Sequence, residues 1–216
     1  MKLAPPQVDT AFLTPAYDIA VDEEEQEGFL FDGVCAMAEE LDRLEMRGCV
    51  IAHSVWQQAT LRKSGFVDVI FDGCDLSGCD FSGAVFSRVR FQGCKLTGVN
   101  FAETVFRDVA FSDCRAPYLN LTSAKAQRLL FADCRLTEAS FQEMKWTAAF
   151  QRCDLTGATF HFAPLKGINL TTSRIDGLRV GLPDLKGAIV NTFQAADLAR
   201  LLGLVINDNP QEDDGC

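Results

Sequence analysis

The stretch FVDVI FDGCD LSGCD FSGAV FSRVR FQGCK LTGVN FAETV FRDVA FSDCR, residues 66–115, decides the fold because it returns a large apolar residue at every fifth position. Phe66, Phe71, Leu76, Phe81, Phe86, Phe91, Leu96, Phe101, Phe106 and Phe111 lead these units, and the frame runs on through Ala116, Leu121, Ala126, Phe131 and Leu136. A period of five fits neither the 3.6-residue helix nor the two-residue strand repeat. Each unit is therefore a structural step of its own, with one large side chain turned inward and a turn before the next.

A second column sets the number of steps per coil. Two residues before each large residue stands a small or β-branched one: Cys74, Cys79, Ala84, Val89, Cys94, Val99. One such column reads Cys74, Cys94, Cys114, Cys134, so like residues recur every twenty positions and four units close one coil. Stacked at the inter-strand distance of about 4.8 Å, successive coils bury their inner faces only against their neighbours. The predicted cross-section is a square.

The pattern also survives an indel. After Trp146 the large residues are Phe150, Leu155, Phe160, Leu165, Leu170, Ile175, Val180 and Leu185, displaced by one, and the cysteine column follows as Cys153 and then Ser173. A one-residue deletion is expected at a corner within Thr147 to Ala149, which makes one core column Phe71, Phe91, Phe111, Phe131, Phe150 and its neighbour Cys74, Cys94, Cys114, Cys134, Cys153.

Units such as Cys74-Asp75-Leu76-Ser77-Gly78, Cys79-Asp80-Phe81-Ser82-Gly83 and Cys153-Asp154-Leu155-Thr156-Gly157 match the A(D/N)LXX pattern, and over most of its length the chain resembles the pentapeptide repeat family. The resemblance implies an all-β fold, a right-handed quadrilateral parallel β-helix. The layout is closest to the quinolone-resistance branch, whose members resemble DNA in shape and engage DNA gyrase or topoisomerase IV.

Outside the repeat the character changes. Residues 1–30 read as an acidic N-terminal arm, solvated around Asp22, Glu23, Glu24, Glu25 and Glu27. Residues 31–190 are the β-helix, although 31–43 fit two patterns. Val34, Met37, Ala38, Leu41 and Leu44 are spaced as a capping helix, while Phe31, Ala36, Leu41 and Met46 keep the five-residue frame and would turn Glu39 inward. Residues 191–206 form a C-terminal segment: a helix capped by Thr192, carrying Phe193, Leu198, Leu201 and Leu202, stopped at Gly203 and followed by a strand candidate, Leu204-Val205-Ile206. It either caps the open coil end or joins two chains as a homodimer through Phe193, Leu198, Leu201 and Leu202; its sequence resembles the dimer helix of the quinolone-resistance branch. Residues 207–216 are an acidic tail.

Little chemistry is on offer. The nine cysteines form no C-x-x-C pair, and a ladder of thiols is a line, whereas zinc needs tetrahedral convergence. They read as small apolar core residues in a reducing compartment. His53 and His161, the two histidines, fall in different coils on different faces, and no phosphate-binding or nucleophile motif occurs. No catalytic residue, metal or cofactor is expected. Without an apolar run long enough for a signal peptide or a membrane span, the expected location is the cytoplasm.

Function then falls to the outer surface of a rod of seven coils, Leu44 to Leu185, roughly 34 Å tall at about 4.8 Å per coil. Residues 1–45 hold 12 acidic and 2 basic residues (−10), residues 46–206 hold 14 and 18 (+4), and residues 207–216 hold 4 and none (−4), which together give the −10 of the whole chain. The rod itself is faintly basic. One face stacks Lys95, Arg115 and Arg135 beside Tyr118; the next but one carries Arg88, Arg107, Lys125, Arg128 and Lys145. Either these are solvated surfaces, or Tyr118, Lys95, Arg115 and Arg135 contact an acidic protein partner; direct nucleic-acid binding is not expected at a pI of about 4.7. The first functional expectation is a non-catalytic interaction scaffold. The alternative is a binder of DNA gyrase or topoisomerase IV that mimics DNA, which requires one continuous acidic stripe built from Glu103, Asp108, Asp113, Asp133, Glu138 and Glu143.

Overall fold

The computed structural model describes residues 1–19 and 25–206. Its strands are β1 (Thr14–Ala16), β2 (Gln26–Glu27), β3 (Phe29–Asp32), β4 (Glu45–Arg47), β5 (Val50–Ala52), β6 (Gly65–Asp72), β7 (Val85–Gln92), β8 (Val105–Ser112), β9 (Lys125–Ala132) and β10 (Lys145–Gln151), all paired in parallel. Each of β6 to β9 pairs with the strand one coil away, so Phe66 faces Phe86, Phe91 faces Phe111 and Phe111 faces Phe131. These long strands make two walls of the coil. The other two walls are single-residue bridges, such as Asp75 to Lys95 to Arg115 to Arg135 and Asp80 to Asn100 to Asn120 to Ser140. The chain is a quadrilateral parallel β-helix.

The period of five has a local cause at the corners. In one coil Asp68, Gly73, Gly78 and Gly83 take φ of +55°, +62°, +72° and +69°, so a single left-handed residue bends the chain after every wall. Glycine adopts that conformation without steric cost, and Asp tolerates it better than most residues.

Inside, Phe71, Phe91, Phe111, Phe131 and Phe150 form a continuous stack with ring centroids 4.7, 4.5, 4.9 and 5.4 Å apart, all essentially inaccessible. Cys74, Cys94, Cys114, Cys134 and Cys153 line the next column, buried and unbridged, their thiols donating to carbonyls of the coil before, as Cys94 does to Phe71 O and Cys134 to Phe111 O. The register is fixed between Cys94 and its neighbour coil by Arg115 N donating to Cys94 O at 2.9 Å. Burial pushes the Cys79 thiol up to about 12, which keeps it protonated. Where the large column shrinks to Ala116 and Ala126, Leu119 and Leu129 are fully buried and take up the volume.

The one-residue deletion lies at a corner. β9 and β10 pair Gln127 with Thr147 but Leu129 with Ala148, so Arg128, the left-handed corner residue of β9, has no counterpart. Pro117 does not disturb its wall. It occupies a turn position whose amide lies outside the ladder, as at Ser77, where the amide bonds the Asp75 side chain; Ala116 and Tyr118 on either side keep their bonds to Arg135 O and Thr137 O.

Of the two patterns that fit residues 31–43, the structure has the coil; other features of both ends differ from the sequence reading. No helix forms at residues 31–43, which continue the coil through the bridges Cys35 to Val55 and Glu40 to Thr60. Glu39 is exposed, because in this terminal coil the slot filled further along by Ala59 and Cys79 opens to solvent. Nor are residues 1–30 simply an arm. The coil begins at β2, and β1 pairs with β3 at the sheet edge, while residues before it lie along the rod. Of the acidic cluster, Glu25 pairs with Arg47; Asp22, Glu23 and Glu24 lie outside the described residues.

At the other end α1 (Thr192–Ala199) is capped by Asn191 rather than Thr192, because Asn191 and Gln194 form a reciprocal capping box. Gln194 is itself buried and donates to Leu170 O, which also accepts from Ser173 N, and to Ser173 O, bonds that tie the helix to the last coil. The sequence reading missed this residue, whose only signal was its place three residues after Asn191. Gly203, at φ +75°, ends the helical segment as expected. Leu204-Val205-Ile206 forms no strand, and Val205 is 93% exposed. The acidic tail, residues 207–216, lies outside the described residues.

Candidate interaction surface

The wall that follows the Asp72–Gly73 corner carries the column Asp75, Lys95, Arg115, Arg135, Asp154, Arg174, one residue per coil. Stacking at about 4.8 Å brings Lys95, Arg115 and Arg135 together as a row of cations. They are not equivalent. Lys95 Nζ lies 2.9 Å from Asp75 Oδ2, and although burial alone would raise the Asp75 carboxyl, bonds from Lys95, Ser77 and Gln57 outweigh it and hold it down to about 2. Among the described residues Arg115 and Arg135 form no ion pair and stand exposed. Tyr118 lies at the next corner, left-handed and 64% exposed, in the column where neighbouring coils have Gly98 and Glu138. The rigid wall thus presents two unpaired guanidinium groups and a phenol ring, groups suited to carboxylates and to flat apolar surface.

The second basic group divides differently from the sequence reading. Arg88 and Arg128 are not free. Each makes a two-pronged bond to the corner aspartate one coil before it, Arg88 to Asp68 at 2.6 and 2.5 Å and Arg128 to Asp108 at 2.5 Å for both prongs. Arg107, Lys125 and Lys145 remain, around a shallow depression over Phe106 and Ala126 where the core column is smallest.

The acidic residues form no stripe. Glu103 and Glu143 share one corner, Asp113 and Asp133 a second, Glu138 lies on a third and Asp108 on the fourth. Three are neutralised as well, Asp108 by Arg128, Asp133 by Arg152 and Glu138 by Arg179. At the C-terminus Leu198 packs against the core while Phe193 points outward, 86% exposed, and Leu201 is 45% exposed; the side chain of Leu202 is outside the description. Among the described residues no group of three or more His, Cys, Asp or Glu could hold a metal ion, and no helix is long and apolar enough to cross a membrane.

A family model described as a pentapeptide repeat region matches residues 64–141 and again 84–160. Over these residues the chain carries the pentapeptide repeat. The same repeat geometry continues beyond the match on both sides, from β3 to the bridge between Asn169 and Ile189. No curated protein matches the sequence. Among solved structures, a trypsin-treated form of QnrB1, a plasmid-mediated fluoroquinolone resistance protein, is 17% identical, with 91% of this chain and 99% of that one covered and a TM-score of 0.43. HetL, a pentapeptide repeat protein involved in heterocyst differentiation regulation from the cyanobacterium Nostoc sp. strain PCC 7120, is 18% identical over 78% of this chain and 92% of its own, with a TM-score of 0.28. A pentapeptide repeat protein from the Arabidopsis thaliana thylakoid lumen is 19% identical over 68% and 72%, with a TM-score of 0.23. At such scores these likenesses say nothing about what this chain binds.

Proposed function

We propose that this pentapeptide repeat protein is a non-catalytic interaction scaffold whose rigid wall at Arg115, Arg135 and Tyr118 receives an acidic surface of a protein partner. The supporting observation is the contrast along one column: Lys95 is held by Asp75, whereas among the described residues the two arginines above it form no ion pair, Asp154 on the rung after Arg135 being bonded to Thr156 instead. Unpaired cations stacked at fixed spacing give a partner both attraction and register. Replacing both by Glu (Arg115→Glu, Arg135→Glu) in the full chain should lower affinity for a partner captured by the wild type at least 10-fold, and Tyr118→Ala several-fold, at unchanged melting temperature. Equal capture by wild type and double variant would remove this wall from consideration.

The alternative, a DNA-mimicking binder of DNA gyrase or topoisomerase IV, is disfavoured by the scattering of Glu103, Asp108, Asp113, Asp133, Glu138 and Glu143 over four corners. A supercoiling assay with and without a fluoroquinolone, titrated with the protein, should show neither inhibition nor relief of the drug at micromolar concentration. The scaffold reading includes a homodimer through Phe193, Leu198, Leu201 and Leu202, supported by the exposure of Phe193 and Val205 beyond what capping one coil end uses. Light scattering should return twice the chain mass at micromolar concentration, and a monomer mass excludes a stable dimer.

A further inference from the structure

The N-terminal residues run lengthwise over the wall that contains the Asp68, Arg88, Asp108, Arg128 corner column. Ala4 N donates to Asp108 Oδ1 at 3.1 Å and Gln7 N to Asp68 Oδ1 at 2.9 Å, contacts 104 and 61 positions apart in the sequence. Leu3, Pro6 and Val8 are half-buried, and the segment from Leu3 to Pro6 lies over Val89, Ala110 and Leu130.

The two spacings agree. Asp68 and Asp108 are two coils apart, about 9.6 Å at the strand spacing, and three residues of polyproline II span about 9.3 Å. Pro5 and Pro6 lie between the two donors and favour that conformation. They also have no N–H, so the only backbone N–H groups within residues 4–7 are the two that reach the carboxylates. Arg88 and Arg128 bond both oxygens of Asp68 and Asp108, including the one that accepts the segment's amide, so each acceptor is also fixed by a contact in which the segment takes no part. Two hydrogen bonds and three half-buried side chains are a light attachment, of the kind found at the low-stability end of a protein.

We propose that this wall is a docking site for an extended, proline-bearing segment of a partner protein, one with backbone amides three residues apart flanking a Pro-Pro pair, and that Met1 to Val8 is the occupant the chain supplies to itself. The inference rests on the scaffold reading and adds a second surface to it. A partner segment must displace the chain's own, which is tethered through residues 9–13 to β1 and so present at an effective concentration on the order of millimolar.

The test uses a synthetic peptide of residues 1–12, labelled at its C-terminus, titrated by fluorescence anisotropy against the full chain. Binding to a full chain carrying Pro5→Gly and Pro6→Gly, whose own segment is loosened, should be at least 10-fold tighter than to the wild type. Adding Asp68→Asn and Asp108→Asn to that chain should weaken it at least 10-fold. Because the aspartate variant could fold poorly, the same loss is expected on the unaltered side of the pair, from a peptide whose own prolines are replaced by glycine. No saturable binding to the loosened chain, or equal binding to it and the wild type, overturns the proposal. So does a wild-type dimer that becomes a monomer in the Pro5→Gly, Pro6→Gly chain, since the occupant is then a second copy. If the peptide fails while the Arg115 and Arg135 substitutions still abolish capture of a partner, the scaffold reading stands and only this second surface falls.

Discussion

Phe111→Ala should cost about 3–5 kcal/mol and lower the melting temperature by on the order of 10 °C. The ring is fully buried between Phe91, at 4.5 Å and 3° from parallel, and Phe131, at 4.9 Å and 12°, and it meets Phe101 and Phe106 edge-on. The cavity left behind cannot collapse easily, because the coils above and below are held apart by the parallel ladder on either side of the missing ring. Phe106→Ala provides the contrast. Its ring stacks on Phe86 on one side but faces Ala126 on the other, so it loses fewer partners and should cost clearly less. Denaturant midpoints of the two variants measure the difference; equal losses would mean that column stacking adds nothing beyond simple burial.

That contrast could be written from the sequence, because inward positions repeat every twenty residues and errors in register would have to be shared by all coils. The deletion at Thr147/Ala148 was legible for the same reason: two columns shift together. The corner ion pairs were equally encoded at twenty-residue spacing, since Asp68, Arg88, Asp108 and Arg128 alternate in one column. Charges compared along a face put Arg88 and Arg128 in one basic group, and only the carboxylate one coil earlier in the same column sets them apart as paired. Contacts that break the period had no such signal. The lengthwise course of Met1 to Val8, the exposure of Glu39 and the unpaired state of Leu204 to Ile206 all depend on where the stack stops or what lies across it. Repeat arithmetic gives the interior of a solenoid and is silent on both.

Acid should weaken the rod in a defined window, and Asp75 is where the effect is best isolated. Its carboxyl is held at about 2 in the folded chain against an ordinary value of 3.8, with bonds from Lys95, Ser77 and Gln57 overcoming the opposing effect of burial. A carboxyl depressed on folding contributes stability that is fully present above its unfolded value, and this is lost as pH falls through the folded one. The window is therefore pH 4 down to pH 2. The shift corresponds to about 1–2 kcal/mol once screening at the half-exposed Lys95 is allowed for. Asp75→Asn should accordingly be less stable than wild type by that amount at pH 7, with the gap closing between pH 4 and pH 2, as read from urea midpoints across the range. Asp68 and Asp108 move in the same direction. At Asp68 burial opposes the Arg88 bond and loses to it together with the Gln7 amide, and at Asp108 the Arg128 bond is the largest influence, joined by the Ala4 amide. Protonating them removes the charge that both the arginines and the N-terminal amides are bonded to, so amide exchange at Ala4 and Gln7 should accelerate, relative to the intrinsic rate, at some point as pH falls below the ordinary carboxylate value of 3.8. A stability gap between wild type and Asp75→Asn that stays constant from pH 7 to pH 2 would show that Lys95 and Asp75 contribute nothing as a charge pair.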